Sequence, residues 1–180
     1  MPVTPERIAD RLNDLSIPYE EELYENRYRF WQALEVYPDT KEDPPHPVLA
    51  LTVKSGNGKK HISVVFEYID DRYEFCDLFF GPFDYEFFNL EEDIVEESII
   101  ETTAAIMNNE TAIIFAVDPE REKWLWDGSF DIGSLDPHDR YEFEQMVKKI
   151  ERPKKGLSKL LNRQVRYEVY DWNTYRRIEN

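Results

Sequence analysis

"VLALTVKSGNGKKHISVVFEYIDDRYEFCDLFF", residues 48–80, is three runs of apolar, β-branched and aromatic residues separated by two turn signals. Gly56, Asn57 and Gly58 supply residue types that tolerate the positive φ of a tight loop, so the first two runs read as a β-hairpin. Asp70 and Asp71 mark a second turn, and "RYEFCDLFF" returns as a further strand. Upstream, Tyr28, Phe30, Leu34 and Val36 alternate with Arg27, Arg29 and Glu35. That alternation predicts a half-buried strand. Four strands in succession, closed by Gly81-Pro82, make an antiparallel meander. The intervening "PDTKEDPPHP", 38–47, carries four prolines in ten residues and is expected as a rigid surface loop.

Helical signals flank this sheet. Thr4, Pro5 and Glu6 form an N-cap, a first-turn proline and a first-turn acid, and Ile8, Leu12 and Leu15 follow at helical spacing until Ile17-Pro18. A second helix is expected from an N-cap at Asn89, with Glu91, Glu92 and Asp93 in its first turn and an inward stripe of Val95, Ile99, Ile100, Ile106 and Met107, ending at Asn108-Asn109. "TAIIFAVD" reads as a buried strand, "DPER" as a turn, and "EKWLWDGSFDI" as a strand that puts Trp124 and Trp126 on one face. A third helix runs from Asp136-Pro137 to Ile150 with Tyr141, Phe143, Met146, Val147 and Ile150 inward, and "QVRYEVYDW" closes the chain as a strand. The fold class is therefore α+β, an antiparallel β-meander sheet packed against two or three helices in one domain, 1–180.

The 33% charged composition is strongly acidic: 38 Asp and Glu against 22 Lys and Arg give −16. Residues 148–180 hold ten basic and four acidic residues, +6, which leaves −22 on the first 147. This basic C-terminal segment is expected to pack on the acidic body. Such a surface repels nucleic acid and anionic membranes and speeds encounters with basic proteins. Cys76 has no second cysteine to pair with, and "MPVTPERIADRLNDL" has neither the basic start nor the apolar stretch of a secretory signal, so a cytoplasmic location is expected.

No catalytic signature stands out. His46 falls in the proline loop, His61 at a strand start and His138 at a helix start, none beside a nucleophile motif. "DGSFDIGSLDPHD", 127–139, spaces Asp127, Ser129 and Asp131 like a calcium loop, yet has Ile132 where glycine is required and His138 where the bidentate Glu belongs. "KSGNGKK" lacks the spacing of a phosphate loop and joins two strands. The aromatic and basic mixtures "RYRFW" and "RQVRYEVYDW" are explained as strands with one wet face. No metal and no cofactor is expected.

The residues left over are aromatic and acidic. Between 82 and 88, Phe83, Tyr85, Phe87 and Phe88 exceed what a connection needs, and an acidic run follows at once. In size, charge and lack of catalytic motifs the chain resembles bacterial toxin-immunity proteins as a class, a resemblance of composition. It implies an inhibitor that occludes the cationic active site of a basic partner such as a nuclease, with carboxylates standing in for phosphates and aromatic side chains as anchors. The expected partner-binding residues are Phe83, Tyr85, Glu91, Glu92, Asp93, Glu96 and Glu97, with Trp124 and Trp126 as a second patch. Two alternatives are an enzyme or small-molecule binder with a carboxylate-lined pocket, and a structural or regulatory subunit.

Overall fold

The computed structural model describes residues 3–35, 46–85, 87, 92–121, 123–133, 137–152 and 165–179, with backbone alone at 74, 75, 92, 93 and 137. Its α+β class and antiparallel meander are those expected; the meander is the first of two sheets, and the second is antiparallel with its strands out of sequence order. The first holds β1 (Glu20–Tyr24), β2 (Val48–Val53), β3 (Ile62–Ile69), β4 (Arg72–Phe80) and β5 (Phe83–Tyr85) in sequence order. The second, in the order β7, β6, β8, β9, is built from β6 (Thr111–Asp118), β7 (Lys123–Asp131), β8 (Arg166–Tyr170) and β9 (Tyr175–Glu179). Every pairing is antiparallel. Four helices accompany them among the described residues: α1 (Pro5–Asp14), α2 (Arg27–Ala33), α3 (Glu92–Met107) and α4 (Pro137–Glu151). None of the described helices is long and apolar enough to cross a membrane.

One core joins both sheets. The inner face of the first sheet gives Leu51, Val53, Ile62, Val64, Phe66, Leu78 and Phe80. The second contributes Ile113, Phe115, Val117 and Tyr170, and α1 and α3 add Ile8, Leu12, Ile99, Ile100 and Ile106. The outer face of the first sheet is covered by α2 through Phe30, and the outer face of the second by α4 through Val147 and Ile150. Tyr170 ties the sheets together: its buried hydroxyl donates to the Phe80 carbonyl at 2.8 Å and its ring meets Phe80 edge-on at 5.1 Å. Burial raises the Tyr170 pKa well above its usual value, so the phenol stays a donor.

The turns follow their residues. Asp70 and Asp71 both adopt positive φ, 50° and 63°, as a tight hairpin turn demands. In the first hairpin only Gly58 has positive φ; Asn57 acts instead through its side chain, which accepts from the Lys59 and Lys60 amides at 2.8 Å. Asn109, at φ 61°, stops α3 as the sequence indicates. Thr4 caps α1, accepting from the Arg7 amide, but Leu15 turns out to be half exposed beyond the helix end. On α4, Tyr141 points outward at 61% exposure rather than into the core.

Several elements depart from expectation, among them β5, which adds a strand beyond Gly81-Pro82 where a connection was expected. Residues 27–33 form a helix, not a strand. Phe30 and Leu34 are four apart, a spacing that alternation and a helical turn both satisfy. Asn26 decides between them by accepting the Arg29 amide at 2.9 Å, and Phe30, Trp31 and Leu34 then pack as one helical stripe. The missing meander strand is the acidic stretch at 20–24, in register with β2. At the C-terminus the chain turns after Tyr170 and pairs back as β9. The expected N-cap at Asn89, most of the proline loop and the basic residues at 154–163 lie outside the described residues. Within the basic segment, Arg176 pairs with Glu151 at 2.7 Å and Arg177 with Glu179 at 3.0 Å.

Candidate functional site

β5 and β7 are outer strands of different sheets, and their edges lie against each other. Between them runs a groove of about 480 Å³ walled by Phe83, Tyr85 and Trp124, with Asp84, Asp127 and Ser129 along it. The structure thus joins two stretches that the sequence separates by about forty residues. Alternation along β5 points Phe83 and Tyr85 to the core side, where they pack edge-on at 4.9 Å and cover the shared core. Part of the aromatic excess at 82–88 is therefore core. The Tyr85 hydroxyl lies 3.5 Å from Ser129 Oγ, and burial pushes its pKa up to about 12. The phenol therefore stays neutral beside the groove.

Trp124 and Trp126 do not share a face. Opposite β7, Ala116 pairs with Trp126 and the next residue, Val117, pairs with Trp124, so Leu125 is an extra residue in a β-bulge. One added residue shifts the alternation by one and sends the two indoles to opposite sides of the sheet. Trp124 turns to the β5 groove and donates from Nε1 to Asp127 Oδ2 at 3.1 Å. Trp126 turns to α4 and lines a second, mainly apolar groove with Leu125, Met146 and Ile150. Gly128 permits this packing, because a Cβ there would sit 3.2 Å from the Trp126 ring and 3.3 Å from Phe130. All three bulge residues stay open to solvent: Trp124 49%, Leu125 39% and Trp126 37%.

The acidic half of the expected patch is used differently. Glu96, only 13% exposed, pairs with Arg7 at 2.5 Å, and Glu97 pairs with Arg11 at 2.9 Å. These contacts fasten α1 to α3. Glu91 lies outside the described residues, as do the side chains of Glu92 and Asp93. The carboxylates beside the aromatic groove are instead Asp84 and Asp127, which sequence reasoning passed over. Their signal was local: each is the acid flanked by the aromatics of its own strand, in "FDY" and "WLWD".

His138, Asp139 and Glu142 bring potential metal-ligand atoms within 4.8 Å of one another at the start of α4. His138 is exposed and its ring faces Glu142 at 3.7 Å, the ordinary spacing of residues one helical turn apart. Among known proteins, no family model matches this chain, and no curated protein or solved structure is significantly similar to it.

Proposed function

We propose that this protein is an inhibitor of the immunity type, which binds a basic protein partner in a reducing, cytoplasmic compartment and covers that partner's active site. The observation that carries the reading is the bulge of β7, an outer strand of its sheet, where Trp124, Leu125 and Trp126 each stay exposed, the two indoles on opposite faces. Exposed tryptophans on an outer strand are unusual, since such edges are ordinarily blunted with charge. Tryptophan is the residue most enriched among interface anchors. Charge supplies the other half: Asp84 and Asp127 flank Trp124, and the chain as a whole carries −16. A cationic surface is steered towards such a body, and an arginine or lysine can stack on the indole with carboxylates beside it.

Affinity capture from the host lysate with the tagged chain at low and high salt tests this. The expected result is one stoichiometric basic protein, captured faster at low salt, lost with the Trp124→Ala, Leu125→Ser variant, and inhibited in its own activity by the purified wild type. No partner at either salt would overturn the reading.

A further inference from the structure

On the far side of the first sheet, α2 leaves half of a sheet face uncovered. A seven-residue helix is about 10 Å long, whereas strands of six to eight residues run about 20–26 Å. The helix lies over Val48, Ala50, Val65 and Phe79. Past its C-terminus, the Thr52 and Ser63 end of the same face opens into a cleft of about 550 Å³, bounded on its other side by Tyr175 and Arg177 of β9.

The lining of this cleft is richer in bases than the chain, with Glu20, Glu168 and Glu179 pairing with three of them from beside it. Acids outnumber bases 38 to 22 overall, but Lys54, Lys59, Lys60 and Arg177 line the cleft against Glu22 and Glu35. His61 adds a donor. Its Nδ1 accepts the Ser55 amide at 3.1 Å, which places the proton of the neutral ring on Nε2. Burial, and then the nearby Lys54, lower its pKa and keep the ring neutral.

Two buried groups make the cleft a built site. Thr52 Oγ1 and Ser63 Oγ are 3.1 Å apart, and Ser63 is 3% exposed. One hydrogen bond between two hydroxyls uses one of their two protons and leaves the other able to donate into the cleft that both line. Thr52 is half-buried rather than sealed off, so that proton is open to an acceptor that enters the cleft. Lys60, with 7% of its side chain exposed, is held by the buried Glu168 at 2.7 Å and only loosely by the exposed Glu35 at 3.4 Å. Glu35 is thus the carboxylate an incoming anion replaces. Lys54 and Arg177 are engaged at the rim by Glu20 at 3.1 Å and Glu179 at 3.0 Å, surface pairs that exchange readily. Phe30, Leu34 and Tyr24 provide the apolar wall.

We infer that this cleft binds a small organic anion, a carboxylate or phosphate monoester, whose acceptor oxygens meet Lys60 and the Thr52–Ser63 hydroxyls and whose apolar part lies against α2. A ¹H–¹⁵N NMR titration of the full chain at pH 7 with phenyl phosphate, benzoate and phenol tests it. The anions are expected to give saturable shifts at the amides of Thr52, Lys60, His61 and Ser63, while neutral phenol leaves these unmoved. A preference for phenyl phosphate identifies a phosphate site and a preference for benzoate a carboxylate site. Ser63→Ala should weaken the better anion at least fivefold. Lys59→Gln, on an exposed side chain that does not endanger folding, should weaken it at least twofold. Absence of saturable shifts at these amides with both anions, shifts confined to another surface, or equal binding by both variants and the wild type would overturn the inference.

Discussion

Trp124 and Trp126, two residues apart on β7, stand on opposite faces of their sheet because Leu125 is bulged between them. Their substitutions should therefore separate. Trp124→Ala removes an exposed anchor from the β5 groove and is expected to weaken partner capture by about 2 kcal/mol or more, with stability lowered by less than about 1 kcal/mol. Trp126→Ala strips an indole that lines the α4 groove with Met146 and Ile150 and should cost about 2 kcal/mol of folding stability. Denaturant unfolding and competition for the captured partner, measured on both variants, check the separation; equal losses in both assays for both residues would contradict it.

The acids of α3 give a second test. Reversing Glu96 and Glu97 to lysine probes the acidic patch expected on α3, but each faces an arginine of α1. Glu96→Lys sets two cations together at a site only 13% exposed and is expected to destabilise the fold by about 2 kcal/mol. Glu97→Lys, at an exposed pair, should change stability by less than about 1 kcal/mol. Arg7→Glu combined with Glu96→Lys restores the pair in reverse and should recover part of the loss.

Much of the fold was legible because local and global signals agreed. The 48–80 hairpins, the α1 cap and the stripe on α3 each rest on turn chemistry or periodicity that tertiary contacts did not override. The misreadings occurred where a pattern fits two periods or where one residue is added. Phe30 and Leu34 satisfy both helix and strand, so only the Asn26 cap distinguished them. No composition signal announces a bulge, and the single extra Leu125 reversed the facing of every β7 residue before it relative to those after. The candidate groove was half visible for a related reason: its aromatics were conspicuous, but its carboxylates come from strands on different sheets. The cleft beside α2 was invisible in the sequence because it exists only where a short helix fails to span a sheet.

Asp77, the one charge in the apolar run 75–80 of β4, is explained by α2. Arg27, at the first turn of that helix, contacts Asp77 on β4 and Glu67 on β3, the latter at 2.5 Å. Burial pulls the Arg27 pKa down, and the two carboxylates more than offset it, Asp77 most of all. Arg27→Met leaves two acids together on a mostly buried face, and a loss of about 2–3 kcal/mol is expected. The triple variant Arg27→Met, Glu67→Gln, Asp77→Asn removes the stranded charges and should recover more than half of that loss. A triple variant no more stable than Arg27→Met would show that the guanidinium matters for packing alone.

His61 gives a pH dependence with a definite sign. Burial and Lys54 hold its folded pKa below the ordinary 6.5 of the unfolded chain, so between those two values the unfolded state binds more protons. Its contribution to stability is complete above the unfolded pKa, is lost as pH falls through the interval, and does not change further below the folded pKa. The Ser55 amide reinforces the effect, since protonating Nδ1 would sacrifice the hydrogen bond it accepts at 3.1 Å. His61→Asn keeps a side-chain oxygen able to accept that amide and does not titrate. The melting temperature of the variant should consequently fall less than that of the wild type between pH 7.5 and pH 5, a comparison in which the carboxylates common to both proteins cancel. Parallel curves would mean that the imidazole is equally ready to take a proton folded or unfolded, and that the ring is not held neutral in the cleft.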